Sequence, residues 1–128
     1  MTTTQLKKTI LVVEDSATQA DAIRIVLEEN GLSVICATNG LSGLKVAQAI
    51  CPDLVVMDVN MPGMDGFQVL QALKNNPLTR DIPIVMLTSS STPEAAMTGL
   101  TSGAIDYIPK DVFAMSVLLE TIRQMGLL

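Results

Sequence analysis

Aromatic and basic residues are scarce in this chain. It has no tryptophan, one tyrosine and two phenylalanines, and its eight lysines and arginines are scattered along a chain of net charge -5. A surface that binds nucleic acid needs a basic stripe, usually with aromatic side chains on which the bases stack. The composition therefore predicts a protein that does not bind nucleic acid.

Cysteines and long apolar runs are also few. Two thiols, Cys36 and Cys51, form neither a zinc site nor a disulfide framework at this spacing, and we expect both to be small core residues in a reducing cytosol. The apolar run at residues 54–57 is far shorter than the roughly 20 residues that span a membrane. The start, MTTTQLKKTI, has no long apolar stretch behind its lysines and is not a secretory signal. We therefore expect a cytoplasmic protein without a membrane partner.

The chain contains enough apolar residues to form one hydrophobic core. The chain has 128 residues, of which 48% are hydrophobic and 16% charged, as in a single globular domain. Short runs rich in valine and isoleucine predict strands, and segments with apolar residues at helical spacing alternate with them. This alternation predicts an α/β fold whose parallel sheet is covered on both faces. The predicted strands are residues 10–13, 33–37, 54–57, 82–87 and, more weakly, 104–108.

Capping residues and helix breakers place the five helices between and after these strands. In chain order, Ser16 caps a first helix that Gly31 ends, Pro52 stops the second, the third stops before Pro77, Thr92-Pro93 starts the fourth, and the fifth runs over residues 113–125.

Polar residues collect where the predicted strands end. In an open parallel sheet, ligands bind beyond the carboxyl ends of the strands, where the strand order reverses. Carboxylates that converge there repel one another, and Mg²⁺, which prefers oxygen ligands, would relieve the repulsion. With a lysine and a hydroxyl beside them, they suit phosphoryl transfer to an aspartate. The residues are Glu14 and Asp15 after the first strand, Asp58 after the third, Thr88 after the fourth and Lys110 after the fifth.

Each of these residues taken alone has an ordinary structural explanation. Asp15 and Ser16 could cap a helix, and Asp58 could accept backbone hydrogen bonds in a loop. Lys110 could be a solvated surface lysine. Their joint placement at successive strand ends is what favours a functional site.

Several segments, in order along the chain, resemble the motifs of response-regulator receiver domains of two-component signalling, including the chemotaxis regulators. The resemblance covers about residues 9–125 and implies a flavodoxin-like, doubly wound sheet of five parallel strands in the order 2-1-3-4-5 with five helices. We expect residues 1–128 to form a single stand-alone receiver domain. The matching segments are LVVEDS, PDLVVMDVNMPGMDG, IPIVMLTSS and GAIDYIPK.

The resemblance implies chemical and switching roles. Asp58 would accept a phosphoryl group in a magnesium-dependent reaction in which Lys110 and Thr88 take part, and Thr88 and Tyr107 would form a conformational switch. The donor would be a sensor histidine kinase or a phosphotransfer protein, because a chain without histidine cannot be its own phosphohistidine donor. Such a protein catalyses its own phosphorylation and dephosphorylation and is not a turnover enzyme.

The resemblance also implies a set of magnesium ligands. Asp15 and Asp58 would bind Mg²⁺ through their side chains. Asn60 would contribute its backbone carbonyl, and Glu14 would act mostly through water.

One departure from the family pattern lies after the fifth strand. The family usually has Lys-Pro with a cis peptide there, whereas here Pro109 precedes Lys110 and Asp111 follows it. A cis peptide without proline costs about 3–4 kcal/mol, so we expect a trans Lys110–Asp111 peptide with the ammonium still close to Asp58. Pro109 is tolerable because the fifth strand should be a sheet edge.

The predicted output surface is the face made by the fourth helix, the fifth strand and the fifth helix. No charged residue lies between Glu94 and Asp106, and the fifth helix carries Met115, Val117 and Leu119 beyond one inward stripe. This excess of apolar residues predicts contact with a downstream protein or with a second copy in a homodimer.

Other interpretations remain open from the sequence. The chain could be a receiver cut from a larger hybrid protein, or a degenerate receiver that only docks. An aspartyl-nucleophile phosphatase would need a second aspartate where Asn60 stands, and a cap domain. A flavin-binding protein of the same fold would need aromatic residues that the chain lacks, and Glu14 and Asp15 would repel its phosphate.

Overall fold

A computed structural model describes residues 7–89 and 93–128. Five parallel strands in this part of the chain form one sheet in the order β2-β1-β3-β4-β5, which confirms the predicted α/β fold and strand order. The strands are β1 Thr9–Val13, β2 Ser33–Ala37, β3 Leu54–Asp58, β4 Ile84–Thr88 and β5 Asp106–Pro109.

Five helices follow the five strands, and several begin at side-chain caps. Ser16 Oγ accepts the N–H of Gln19, as predicted for the first helix. Asp65 and Gln68 form a reciprocal capping box at the third helix, which satisfies two backbone donors at once. Thr92, the predicted cap of the fourth helix, lies outside the described residues. The helices are α1 Ala17–Glu29, α2 Gly40–Ile50, α3 Gly66–Lys74, α4 Pro93–Thr101 and α5 Ala114–Gln124.

The sheet buries both of its faces. Alternate residues of β1 and β3 point to opposite sides, as the pleat requires, and all of these positions are at most 1% exposed from Ile10 to Val13 and from Leu54 to Met57. One face packs on α1 and α5, with Leu27, Leu118 and Ile122 in its core. The other face packs on α2 and α3, with residues of α4 alongside.

The expectation that both cysteines are core residues is wrong. Cys36 and Cys51 are free thiols and exposed. Cys36 lies in β2, an edge strand whose central residues are only partly covered. Cys51 follows α2 in a left-handed conformation with φ 46°, where the chain turns at the surface.

Two strand predictions need shifted boundaries. β4 begins at Ile84 rather than at residue 82, because the N–H of Ile82 donates to Thr79 in a turn and Pro83 has no N–H to give to a sheet. β5 begins at Asp106 rather than at residue 104 and includes Pro109. As predicted, this proline lies in an edge strand.

The strand order creates the functional rim. β1 pairs with β3 and with β2, and Val13 lies opposite Met57 in the β1–β3 register. The residues that follow Val13 and Met57 therefore leave the sheet side by side at its carboxyl end. None of the helices in the described ranges is long and apolar enough to cross a membrane.

Candidate functional site

Three carboxylates meet at this rim. One carboxylate oxygen each of Glu14, Asp15 and Asp58 lies within 4.8 Å of the others. Glu14 is 2% and Asp58 6% exposed, whereas Asp15 faces solvent. The structure thus brings together the three acidic residues that the sequence placed at the ends of β1 and β3.

Lys110 supplies a positive charge to this cluster. Its ammonium nitrogen lies 2.7 Å from Glu14 Oε2 and 3.2 Å from Asp58 Oδ2. Its backbone N–H donates to the carbonyl of Thr88 across the β4–β5 edge. The described residues contain no cis peptide bond, so the predicted trans Lys110–Asp111 peptide is confirmed, and the ammonium reaches Asp58 without the family's proline.

The pKa of Glu14 reflects the burial of its carboxyl group. Burial raises the pKa of this carboxyl above its ordinary 4.5, and the charge of Asp58 raises it further. The hydrogen bond from Lys110 and the backbone N–H of Ser16 oppose these effects on the pKa. Glu14 therefore holds a proton more readily than an exposed glutamate when Lys110 is its only positive partner.

The donor set fits a hard divalent cation. Three carboxylates against one ammonium leave two negative charges in excess (three minus one) when all are ionised. Mg²⁺ binds such oxygen-only sites through one or two carboxylates and keeps several waters. Asn60 lies beside the cluster, since its backbone N–H donates to Asp58 Oδ1 at 3.1 Å. The acidic cluster is therefore compatible with magnesium.

The backbone that carries Asp58 is fixed by a close approach of α3. A Cβ added to Gly66 would lie 2.6 Å from the carbonyl oxygen of Asp58 and 2.8 Å from Val59 Cα. The N–H of Gly66 donates to Val59 at 2.9 Å. Only glycine lets the first turn of α3 pack this closely, so the loop after Asp58 is held against the helix.

Thr88 and Tyr107, the predicted switch pair, lie on neighbouring strands. Thr88 is 1% exposed at the end of β4, and Tyr107 is 9% exposed in β5. The Tyr107 ring stacks on Phe67 of α3, with centroids 6.3 Å apart and planes 11° from parallel. Its hydroxyl is buried and has no hydrogen-bond partner among the residues that the structure describes.

Glycine in α4 makes room for that ring. A Cβ on Gly99 would lie 2.9 Å from Tyr107 Cδ2, which explains a weak helix former in the middle of α4. Phe67 lies in α3 and was not predicted as a site residue. Its contact with Tyr107 was missed because no local pattern reports a partner 40 residues away.

Gln19 was also not predicted from the sequence to be part of the site. Its carboxamide oxygen accepts a hydrogen bond from the Lys110 ammonium at 2.5 Å. The one sequence signal was its position three residues after the helix cap Ser16.

The fold and the site together define a signalling module, and the comparisons name its class. A family model for the response regulator receiver domain matches residues 10–123. The chain therefore belongs to the response-regulator receiver family, whose members work in phosphorylation-based two-component signalling and are signalling proteins rather than turnover enzymes.

Among similar proteins is the phosphate regulon transcriptional regulatory protein PhoB of Escherichia coli, 40% identical over 105 residues that cover 82% of this chain and 46% of that protein. The chain spans about half the length of several curated relatives that it matches. Protein PilH of Pseudomonas aeruginosa is 37% identical over 89% of this chain and 93% of its own length. The solved structure of chemotaxis protein CheY4 of Vibrio cholerae superposes with a TM-score of 0.85 at 31% identity, covering 93% of this chain and 98% of that one.

Proposed function

We propose that the chain receives a phosphoryl group on Asp58 from a sensor histidine kinase or a phosphotransfer protein, in a magnesium-dependent reaction. One observation carries the proposal. Asp58 is a nearly buried carboxylate at the switch point of the sheet, with the Lys110 ammonium 3.2 Å from its Oδ2 and two further carboxylates within 4.8 Å.

The chemistry is a displacement at phosphorus. A carboxylate oxygen of Asp58 forms a bond to phosphorus while the bond between phosphorus and the donor's imidazole nitrogen breaks, and the electron pair leaves with that nitrogen. Lys110 remains beside the carboxylate and meets the negative charge of the phosphoryl oxygens. Glu14, Asp15, Asp58 and the backbone carbonyl of Asn60 would hold Mg²⁺, which when bound supplies further charge neutralisation to those oxygens.

The test uses the unmodified chain, Mg²⁺ and acetyl phosphate, with intact mass as the measurement. We expect one phosphoryl adduct, and none after chelation of the metal. Asp15→Asn removes an exposed carboxylate of the cluster and should lower Mg²⁺ affinity at least about tenfold and slow adduct formation. Because it also relieves repulsion, this variant should be at least as stable as wild type without metal.

Asp21→Asn is a matched control, because Asp21 is an exposed aspartate of α1 that pairs with Arg24. Mg²⁺ affinity in this control should equal that of wild type. Equal affinity in Asp15→Asn and wild type would contradict the assigned metal site, and a chain that never forms an adduct would instead be a receiver that only docks.

We further propose that the signal leaves through the face of α4, β5 and α5. Several large apolar side chains are exposed there, and the segment between Glu94 and Asp106 has no charge to oppose apolar contact. Met115 and Leu119 are partly buried because they pack against the core. The exposed residues are Met97 at 66%, Leu100 and Ile105 at 47% and Val117 at 42%. A downstream protein or a second copy of the chain would bind them.

Thr88→Ala tests the coupling to this face. The variant keeps Asp58 and Lys110 and should accept phosphate, but it lacks the hydroxyl that would meet the phosphoryl group. Amide hydrogen exchange of α4 should change on phosphorylation of wild type and stay near its unphosphorylated rate in Thr88→Ala. Thr79→Ala is the control, because Thr79 is a buried threonine whose hydroxyl donates to Leu73, away from the site. An identical response in Thr88→Ala and wild type would mean that the signal takes another route.

Residues 1–128 are proposed to act as one receiver domain in the cytoplasm, where a histidine kinase has access to ATP. The single sheet from β1 to β5 and the family match over residues 10–123 support one domain.

A further inference from the structure

Among the residues that the structure describes, three oxygens lie within 3.2 Å of the Lys110 ammonium, and one of them is not acidic. Its nitrogen lies 2.5 Å from Gln19 Oε1, 2.7 Å from Glu14 Oε2 and 3.2 Å from Asp58 Oδ2. The ammonium donates hydrogen bonds to Gln19 and Glu14, whereas its contact with Asp58 is an ion pair. The contact with Asp58 is the longest of the three, and the two shorter contacts therefore fix where the charge sits relative to Asp58.

Gln19 is part of a closed ring of hydrogen bonds. The N–H of Ser16 donates to Glu14 Oε1, and the N–H of Gln19 donates to Ser16 Oγ. Lys110 then closes the ring by donating to both Gln19 Oε1 and Glu14 Oε2. The first turn of α1 is thereby tied to both oxygens of Glu14 and to Lys110. An ordinary surface glutamine that touches a nearby lysine would not be tied in this way.

A cleft beside Lys110 could accommodate its side chain if this ring of hydrogen bonds opens. A cleft of about 360 Å³ lies between α1 and α5, and Gln19, Lys110 and Met115 are among its lining residues. A lysine side chain has four rotatable bonds and loses substantial rotamer freedom when it is held in one place. Without the oxygen of Gln19, Glu14 would be the one remaining hydrogen-bond acceptor described for the ammonium, and the cleft would give the side chain room to move away from Asp58.

We infer that Gln19 is a positioning residue for phosphoryl transfer: its carboxamide oxygen holds the Lys110 ammonium between Glu14 and Asp58. This inference rests on the proposed function, because the reaction it serves is phosphorylation of Asp58. A neutral acceptor suits the place. It restrains the ammonium without adding a fourth negative charge that would repel the incoming phosphoryl group.

The test compares Gln19→Met, which keeps an unbranched side chain without the oxygen, with Gln19→Glu, which keeps an oxygen acceptor. Adduct formation from acetyl phosphate is followed by intact mass at saturating Mg²⁺, and Mg²⁺ affinity is measured for each variant. We expect Gln19→Met to accept the phosphoryl group about tenfold more slowly, the effect of one lost hydrogen bond to a charged group, with unchanged Mg²⁺ affinity. Gln19→Glu should react faster than Gln19→Met but more slowly than wild type, because its oxygen restores the acceptor while its added charge repels the incoming phosphoryl group.

Gln48→Met is the matched control, since Gln48 is an exposed glutamine of α2, and it should react like wild type. A wild-type rate in Gln19→Met overturns the inference, and so does a Gln19→Glu variant as slow as Gln19→Met, because the oxygen would then not be the cause. If wild type forms the adduct and the Gln19 variants form it at the same rate, this inference is wrong but the proposed function stands. A wild-type chain that forms no adduct removes both the inference and the proposed function.

Discussion

Replacement of Asp58 by asparagine is expected to abolish the phosphoryl adduct while leaving the chain folded. An amide nitrogen or oxygen cannot replace the carboxylate as nucleophile, so the intact mass should stay that of the free chain at any time of incubation. The fold should survive because the charge of Asp58 is one of the factors that raise the pKa of Glu14. Its removal relieves repulsion in the cluster at the same time as it removes the 3.2 Å contact with Lys110.

Asp53→Asn is the matched control for this experiment. Asp53 lies just before the opposite end of the same strand, and its Oδ2 accepts the N–H of Thr9 at 2.8 Å, so the variant should lose some stability and still be phosphorylated. Persistence of the adduct in Asp58→Asn would assign the phosphoryl group to another residue and overturn the proposed reaction.

Replacement of Lys110 by methionine is expected to affect both reaction and stability. The Lys110 side chain is 18% exposed, and its ammonium pairs with two carboxylates that are at most 7% exposed. Removing one partner of a buried ion pair typically costs about 3–5 kcal/mol, because the remaining charge is left without compensation. We expect the free energy of unfolding without metal to fall by about 3 kcal/mol, and adduct formation to be slowed more than in Gln19→Met.

The pH dependence of this loss follows from Glu14. Its pKa is already raised by burial, so the folded chain binds its proton more tightly than the unfolded chain does. Stability from this group is present below about pH 4.5 and falls as pH rises through the raised pKa. Lys110→Met removes an interaction that lowers the pKa of Glu14. The pH range in which protonated Glu14 stabilises the fold therefore extends upward in this variant. The loss in the free energy of unfolding of Lys110→Met relative to wild type, measured by urea unfolding, should therefore be larger at neutral pH than near pH 4.5.

Lys45→Met, at an exposed lysine of α2, is the control and should show little change at either pH. A Lys110→Met variant as stable as wild type at neutral pH would show that Lys110 does not compensate the buried carboxylates.

The sequence was a good guide to the fold wherever burial is complete. β1 and β3 are buried on both faces, and their apolar runs predicted them within one residue. β4 was misplaced at its start because Ile82 is apolar and buried but belongs to a turn before Pro83. Cys36 was misjudged although the predicted strand order puts the second strand at an edge, because an apolar run alone does not show that its side chains are exposed there.

The site was predictable as a set of strand-end residues but not as a network. Glu14, Asp58 and Lys110 meet because parallel strands end at one rim, and that follows from the order of motifs in the chain. The contact between Gln19 and Lys110 joins residues 91 positions apart, and it depends on how α1 and β5 lie across the sheet. Neither periodicity nor capping carries that information.

The buried ring of Tyr107 has a consequence for the quality of the signal. Stacking on Phe67 favours the buried position by about 0.5–1.5 kcal/mol. A buried hydroxyl that finds no hydrogen-bond partner, as for Tyr107 among the described residues, disfavours that position by about 1–3 kcal/mol. These opposing terms are similar in size, so we predict that the buried position of the ring is only weakly favoured. If Tyr107 has the switch role predicted for it, phosphorylation would shift a balance between two states of the receiver, and the unphosphorylated chain would have some background output. Exchange of Phe67 for leucine is then expected to change the ratio of signal to background without touching the chemistry at Asp58.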